Sequence, residues 1–197
     1  MPTPKILVMF YTSTGTNLSI AREAARAAEE AGAEVRLRRF AEIAPMEVVE
    51  GQEKWHATLK SMQEEGIEEC RLDDLDWADG YFVSVPTRYG LPPSQMTAFT
   101  DTTGQLWSSG ALANKTFTAA CSTSTMHGGQ EGTLQSLTTL ATHWGCILVP
   151  PGYADPVKFE DGGNPYGYSR TQGEPLHEGS VAYQARRLVE MTGKLVA

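Results

Sequence analysis

A short loop rich in hydroxyl groups is the part of this sequence whose chemistry is easiest to define. It reads Thr12-Ser13-Thr14-Gly15-Thr16-Asn17, follows the apolar run at residues 6–11 and precedes an alanine-rich segment with helical spacing. This order is typical of a strand, a turn and a helix N-terminus, where unpaired N–H groups and the helix dipole favour a phosphate group. The loop contains four hydroxyl side chains and one amide but no Lys or Arg. It therefore predicts a phosphate monoester held by uncharged donors.

Two other phosphate-binding loops are excluded by the composition of this segment. An ATP-type P-loop ends in Gly-Lys-Ser/Thr, and the dinucleotide fingerprint needs three spaced glycines, whereas this loop has one glycine and no lysine. The remaining interpretation is the turn that flavodoxin-like proteins use for the 5′-phosphate of FMN. An ordinary N-capping turn is the alternative, because Ser, Thr and Asn are common capping residues.

The bulk composition indicates one globular domain without nucleic-acid, membrane or metal partners. The chain has 197 residues, 41% of them hydrophobic, and 16 basic against 24 acidic residues for a net charge of −8. No block of like charge favours nucleic acid or an anionic membrane. The three cysteines are widely spaced and form neither a disulfide framework nor a CxxC motif, which is typical of the reducing cytosol. Because no signal peptide or long apolar run is present, we expect a cytoplasmic location.

Strand-like and helix-like segments alternate along the chain, which predicts an α/β fold with a parallel sheet. The predicted strands cover residues 5–11, 34–40, 80–85, 116–122 and 146–149. Helical patterns follow the first strand up to Gly32, precede the fifth strand and close the chain, the last with Ser180 as the expected cap. The predicted fold is a flavodoxin-like, doubly wound, five-stranded sheet of order 2-1-3-4-5 with helices on both faces.

Two segments exceed a minimal domain of this kind, so we expect one flavodoxin-like domain over residues 1–197 with two elaborations. Residues 45–76 are acidic and place Trp55, Leu59 and Met62 on one helical face, which fits either a surface helix packed on its own domain or a subunit contact. Residues 150–179 are rich in Gly, Pro and Tyr and lack periodicity. Loops of that length are usually functional or disordered, and the aromatic residues argue against disorder.

Three loops are expected at the carboxyl edge of the sheet, where doubly wound folds bind ligands. Besides the hydroxyl-rich loop they are Pro86-Thr87-Arg88-Tyr89-Gly90 and Thr123-Ser124-Thr125-Met126-His127-Gly128-Gly129. Backbone groups in such loops can match the pyrimidine half of a flavin, and Tyr89 could cover a ring face. Arg88 is the only cation in the three loops, and near N1 and O2 it would stabilise an anionic reduced flavin. The alternative for Arg88 is a surface salt bridge.

Five segments in the same order make the resemblance to a known family specific. The chain resembles the WrbA family of NAD(P)H:quinone oxidoreductases, which are tetrameric, flavodoxin-like FMN enzymes. The resemblance extends from about residue 5 to the end, except that residues 45–76 look longer than is usual. The matching segments are residues 86–90 (PTRYG), 104–112 (GQLWSSGAL), 128–131 (GGQE), 149–154 (VPPGYA) and 162–167 (GGNPYG).

The resemblance implies roles for individual residues. The phosphate loop of the family aligns with residues 12–17, and its flavin-edge loops align with residues 87–89 and 123–128. It also implies an active-site histidine beside the cofactor at His143 and a substrate-contacting tryptophan at Trp107. Since several subunits build each active site in the family, a homotetramer is expected in which Trp107 and His143 act on a neighbour's flavin. The alternatives are a C-terminal helix cap for His143 and core packing for Trp107.

Two departures from the family pattern affect the expected ligands. Family members often carry an aromatic ring at the position of Thr14 that stacks on the nicotinamide nucleotide, and Thr14 cannot stack. The third loop is often glycine-rich, whereas here Met126 and His127 interrupt it. Their side chains would narrow the pocket or alter the hydrogen bonds at the flavin edge, and a catalytic duty for His127 is not expected.

The resulting hypothesis is a ping-pong enzyme in which NAD(P)H passes a hydride to flavin N5 and a quinone then accepts it. The protein would contribute stacking, alignment and electrostatics, with no covalent nucleophile, and His143 could donate a hydrogen bond or a proton to the quinone oxygen. One rival is a one-electron flavodoxin-type carrier. The other is a non-catalytic partner of a transcription regulator.

Overall fold

The computed structural model describes residues 2–197 and contains a parallel sheet at its centre. The order β2-β1-β3-β4-β5 confirms the predicted 2-1-3-4-5 arrangement, and a sixth strand also pairs with β4. The strands are β1 (Lys5–Phe10), β2 (Glu34–Arg39), β3 (Gly80–Pro86), β4 (Thr116–Thr123), β5 (Ile147–Leu148) and β6 (Tyr168–Thr171).

Helices cover both faces of the sheet, as predicted. Residues along β1 alternate between two apolar clusters: Ile6 and Val8 pack with α1 and α8, while Leu7 and Met9 pack with α7. This two-sided burial explains why β1 and β3 are almost continuously apolar. The helices are α1 (Thr16–Glu30), α2 (Met46–Glu50), α3 (Glu53–Glu64), α4 (Leu72–Trp77), α5 (Ser94–Thr100), α6 (Gly104–Ser108), α7 (Gln130–Trp144) and α8 (Glu178–Leu195), with a 3₁₀ turn at Pro156–Phe159.

The fifth position of the sheet is shared by two short strands. β5 has only two residues and pairs with Thr116 and Phe117, after which the chain leaves the sheet. It returns as β6, which pairs in parallel with residues 120–123. The predicted strand at 146–149 is therefore shorter than expected, and the segment at 150–179 contains a strand that was not anticipated. Four residues are too few for a period-two pattern to stand out beside a Gly- and Pro-rich stretch.

A buried ion pair anchors the segment at 150–179 to the last helix. Lys158 is 0% exposed, and its Nζ lies 2.5 Å from Asp161 Oδ2. Asp161 also accepts a hydrogen bond from the buried Ser180 hydroxyl. The expectation that Ser180 caps α8 is wrong: His177 occupies the cap position, because the Ser180 side chain is used by Asp161 inside the fold.

The segment at 45–76 packs on the domain that carries it. It forms α2, α3 and most of α4, and Leu59 and Met62 are buried in the cluster that contains α1. Trp55 packs against both apolar clusters, and Arg22 of α1 forms an ion pair with Glu65 at the end of α3. These contacts favour the surface-helix interpretation over a subunit contact for the buried face of α3.

Residues 2–197 contain neither a membrane-spanning helix nor a metal-binding cluster. None of the helices there is both long enough and apolar enough to cross a bilayer. In the same part of the chain, no three His, Cys, Asp or Glu side chains cluster in a way that could hold a metal ion.

The pairing of β6 with β4 predicts that Gly167 cannot be replaced by a residue with a side chain. A Cβ at Gly167 would lie 2.0 Å from the Ala119 carbonyl oxygen and 2.9 Å from Leu134 Cδ2, so β6 would have to move away from β4. We expect Gly167→Ala to lower the free energy of unfolding by about 2–3 kcal/mol, measured by urea denaturation at fixed protein concentration. Gly104→Ala is the matched control, since a Cβ at Gly104 meets no atom within 4 Å. Equal stabilities of the two variants would contradict the observed packing of β6.

Candidate functional site

Three loops meet at the carboxyl edge of the sheet because β1, β3 and β4 are adjacent and parallel. Phe10 pairs with Ser84 and Pro86 with Ser122, and Thr87 N donates to the Ser122 carbonyl at 2.8 Å. Between the loops lies a cavity of about 150 Å³, hereafter the phosphate pocket. Its lining is almost entirely polar and consists of Thr12, Ser13, Thr14, Thr16, Asn17, Pro86, Thr87, Arg88, Ser122, Thr123, Ser124 and Gln172.

The hydroxyl-rich loop leaves the N-terminus of α1 open to a ligand. Gly15 occupies the N-cap position with φ of 89°, a left-handed conformation that favours glycine. No side chain caps α1, and its first turn contains no acidic residue. A Cβ at Gly15 would meet no atom within 4 Å, so no protein atom packs against that side of the N-cap residue. These observations favour an anion site over an ordinary N-capping turn.

Asn17 lines the phosphate pocket, but its side chain is also a structural link. It is buried, its Nδ2 donates to Ser122 Oγ at 2.8 Å, and its Oδ1 accepts from Ser84 Oγ at 3.1 Å. The amide thereby ties α1 to β3 and β4. One N–H group and the oxygen of the amide therefore serve to hold the loop rather than a ligand.

Arg88 lies beside the phosphate loop, which the sequence did not indicate. Its Nη2 donates to Ser13 Oγ at 3.1 Å and its Nη1 donates to the Thr87 carbonyl at 3.1 Å. The expected purely uncharged cradle thus has a cation at its edge, because the pairing of β1 with β3 brings the second loop across to the first. Within residues 2–197 Arg88 makes no ion pair, so the salt-bridge alternative is not supported.

A second, more open cavity of about 680 Å³ adjoins the phosphate pocket, and we refer to it as the ring cavity. The two share Thr87, Arg88 and Ser124. This size is ample for a planar ring system joined to the phosphate in the neighbouring pocket. The lining comprises Thr87, Arg88, Tyr89, Gly90, Ser124, Thr125, His127, Gly128 and Gly129.

The ring cavity depends on a close approach of two glycine backbones. A Cβ at Gly129 would lie 2.5 Å from the Gly90 Cα, and both glycines have positive φ. The Thr87 hydroxyl reinforces the contact, since it accepts from Gly90 N at 3.0 Å and from Thr133 Oγ1 at 2.8 Å. The second loop is therefore fixed against the start of α7, and the cavity wall is preformed.

Tyr89, Met126 and His127 differ in how they relate to the ring cavity. Tyr89 is fully exposed and has φ of 53°, a left-handed conformation that costs a non-glycine residue on the order of 1 kcal/mol. Such strain is most often found at ligand-binding sites. His127 lines the ring cavity, whereas the exposed Met126 contributes to neither cavity.

Sequence reasoning missed two residues that line the phosphate pocket, Ser122 and Gln172. Gly129 belongs to the predicted third loop, and Ser122 is the next-to-last residue of the strand before it. Gln172 follows β6, and its N–H donates to the Thr123 carbonyl at 2.7 Å. Only the pairing of β6 with β4, which no local pattern revealed, brings Gln172 to this edge.

The structure brings Trp107 and His143 together but not to either cavity. Trp107 Nε1 donates to the His143 carbonyl at 2.9 Å, and both residues are exposed. His143 lies in the last turn of α7, whose first turn borders the site. Because α7 has 15 residues, the helix rise separates its two ends by about 20 Å. Trp107 is 59% exposed, which does not support core packing, and Gly145 provides the C-cap of α7.

None of the cysteines has the environment of a nucleophile. Burial raises the pKa of the Cys121 thiol to about 12, with a smaller contribution from Glu131, and burial also raises the pKa of Cys146 to about 12. Burial raises the pKa of Cys70 as well, followed by the charge of Asp74. All three thiols remain protonated at neutral pH, consistent with a site that works without covalent catalysis.

The fold and the site together define a class. A doubly wound parallel sheet with a polar phosphate pocket at its switch point and a ring cavity beside it is a flavodoxin-like architecture.

Comparison with known proteins gives the family. The NADPH-dependent FMN reductase family matches residues 4–158. A Deinococcus radiodurans protein named NAD(P)H dehydrogenase (quinone) is 51% identical, with 98% of this chain and 97% of that protein covered. A Chelativorans protein of the same name is 40% identical, with 98% of each covered. The chain belongs to this FMN reductase family and, within it, to the WrbA-like NAD(P)H dehydrogenases (quinone), which confirms the resemblance seen in the sequence.

Solved structures agree on the fold. A WrbA-like flavodoxin from Agrobacterium tumefaciens aligns with a TM-score of 0.66 at 18% identity, covering 98% of this chain and 99% of that one. The two-electron reduced flavodoxin of Megasphaera elsdenii aligns with a TM-score of 0.59 at 14% identity, covering 94% and 98%. Identities this low bear on the fold alone.

The phosphate pocket predicts a difference between two ligands that differ only in a phosphate group. Thr16→Val keeps the shape of the side chain and removes a hydroxyl that lines the pocket. We expect it to raise the Kd for FMN about tenfold, the order of one hydrogen bond to a charged group, while the Kd for riboflavin stays the same. Flavin fluorescence titration measures both constants.

Thr139→Val on the exposed surface of α7 is the matched control for this titration, and its FMN affinity should equal that of the parent chain. A parallel loss of FMN and riboflavin affinity in Thr16→Val would show that Thr16 does not face the phosphate.

Proposed function

We propose that this chain is an FMN-dependent NAD(P)H dehydrogenase (quinone) that transfers two electrons from NADH or NADPH to a quinone. The observation that carries the proposal is the continuity of the phosphate pocket and the ring cavity through Thr87, Arg88 and Ser124. A small polar pocket opening into a larger cavity fits a phosphorylated ring cofactor. The names of relatives that match nearly the whole chain support the reaction.

The residues of the site fit FMN. The open N-terminus of α1 and the hydroxyls of Thr12, Ser13 and Thr16 would hold the phosphate, and residues 87–90 and 124–129 would border the ring. When bound, FMN supplies hydride transfer between a nicotinamide and a quinone. The chain itself contributes a preformed loop geometry and the positive charge of Arg88, which stabilises negative charge at the ring edge.

The proposal includes one domain over residues 1–197, a homotetramer and a cytoplasmic location. Exposed apolar side chains on the surface away from the two cavities, among them Trp107, Ile147 and Leu148, support burial between subunits. A subunit contact there would carry His143 to a neighbour's flavin, where it would donate a proton or a hydrogen bond to the quinone oxygen. Since the two ends of α7 are far apart, this role requires a second copy of the chain.

The activity test uses the purified, FMN-loaded protein with NADH or NADPH and benzoquinone. We expect oxidation of the nicotinamide at 340 nm and parallel double-reciprocal plots, because the two substrates would use the same cavity in turn. Protein that retains FMN but shows no oxidation would support the regulator-binding alternative. Oxidation that delivers single electrons to protein acceptors while sparing quinones would support the carrier alternative.

The proposed role of His143 predicts that activity depends on contacts between copies. His143→Ala should lower kcat about 100-fold, the scale of a positioned proton donor, while His56→Ala on the exposed face of α3 should leave kcat unchanged. Arg88→Ala should also lower activity. Refolding His143→Ala together with Arg88→Ala should restore part of the rate, because mixed oligomers contain sites with both groups intact. No recovery in verified mixed oligomers would contradict action on a neighbouring subunit.

A further inference from the structure

A third cavity, of about 600 Å³, shares Arg88 with the phosphate pocket and the ring cavity. It lies between the end of β1, helices α3 and α5, and the loop that follows β3. We refer to it as the Trp55 cavity, because α3 of the 45–76 segment contributes that residue. Its lining includes Tyr11, Trp55, Arg88, Leu91, Pro92 and Gln95.

One carboxylate accepts hydrogen bonds from three side chains in the wall of this cavity. Glu42 Oε2 accepts from Tyr11 OH at 2.8 Å and from Trp55 Nε1 at 3.0 Å. Its Oε1 accepts from Gln95 Nε2 at 2.8 Å and from the backbone N–H of Ala44 at 3.0 Å. Burial opposes the charge of Glu42, but these hydrogen bonds outweigh it and keep its pKa below the usual value. Glu42 therefore holds the wall rigidly.

Because Glu42 occupies these donors, the cavity presents mainly apolar surfaces to a ligand. They are the Trp55 indole, the Pro92 ring, the Ala44 methyl group and the Leu91 side chain, which is 58% exposed. Flat, uncharged aromatic groups are the ligands that such surfaces bind by stacking and apolar contact. A purine fits this description.

Arg88 adds a charge at the boundary of all three cavities. It is the one Lys or Arg side chain among the residues that line them. Two of its five N–H groups donate to Ser13 and Thr87, and the fork geometry of the guanidinium suits a bidentate contact with phosphate oxygens. If a diphosphate were bound at Arg88, the group attached to one phosphate would lie in the ring cavity. The group attached to the other phosphate would lie in the Trp55 cavity.

We propose that the Trp55 cavity binds the adenosine part of the nicotinamide dinucleotide, with the diphosphate at Arg88 and the nicotinamide directed into the ring cavity. This inference rests on the proposed function and assigns a role to the 45–76 segment, which supplies the aromatic wall. It makes Trp55 and Leu91 determinants of affinity for the dinucleotide rather than of the hydride transfer.

Direct binding tests the inference without turnover. ADP-ribose, which contains adenosine and diphosphate but no nicotinamide, is titrated calorimetrically into FMN-loaded protein. We expect Trp55→Leu to weaken ADP-ribose binding about tenfold, the scale of one lost base–aromatic stack. Trp77→Leu is the matched control, since Trp77 stacks with Arg36 at 4.0 Å outside the three cavities, and it should bind ADP-ribose as the parent chain does.

Kinetics with a truncated donor provide the second test. Reduced nicotinamide mononucleotide lacks the adenosine, so Trp55→Leu should raise KM for NADH far more than KM for the mononucleotide. Leu91→Glu, a substitution on an exposed side chain that the fold tolerates, should do the same and guards against misfolding of the Trp55 variant.

Equal changes in KM for the two donors, or undiminished ADP-ribose binding in both variants, would overturn the inference while leaving the proposed function intact. If the parent chain did not oxidise NADH, the proposed function would be wrong. The ADP-ribose titration would still test whether the Trp55 cavity binds adenosine.

Discussion

The parallel pairing of β1 with β3 and of β3 with β4 is the constraint on which the whole site depends. The three loops that follow these strands lie far apart in the sequence, after Phe10, Pro86 and Thr123. They emerge at one edge because parallel strands end on the same side. Burial on both faces fixes the register, since a one-residue shift would exchange the side chains of the two apolar clusters. The core thus determines where Ser13, Arg88 and Thr123 lie relative to one another.

A second level of order comes from contacts between the loops themselves. The Thr87 hydroxyl connects its own loop to Thr133 on α7, and the backbone of Gly90 lies too close to Gly129 for a side chain at position 129. The Asn17 side chain links α1 to β3 and β4 through hydrogen bonds with Ser84 and Ser122. These interactions order the cavity walls before a ligand arrives, which lowers the entropic cost of binding.

Local patterns were sufficient to predict most of the framework and the chemistry of the loops, but not what depends on long-range pairing. Strand positions and order followed from apolar runs, and the presence of a polar cavity beside the first helix followed from the hydroxyl-rich loop. Phosphate binding in that cavity stays a prediction. Three features arise only from the pairing of distant segments. They are the hydrogen bond from Arg88 to Ser13, the strand β6, and the position of Gln172 in the lining of the phosphate pocket. Ser180 shows the same dependence on distant residues. Serine is a typical capping residue, but the Ser180 hydroxyl donates to the buried Asp161 carboxylate instead of capping α8.

In the proposed function, helix α7 would connect the chemistry of the site to the assembly of the protein. Its first turn supports the ring-cavity wall, because the Thr133 hydroxyl donates to Thr87 Oγ1, and its last turn presents His143 beside Trp107 at the opposite end of the helix. A rigid helix cannot bring both ends to one ligand, so these two positions could cooperate only across a contact between two chains. The same copy that supplies His143 would also exclude water from the open ring cavity. Oligomerisation would then be a requirement of catalysis and not only of stability.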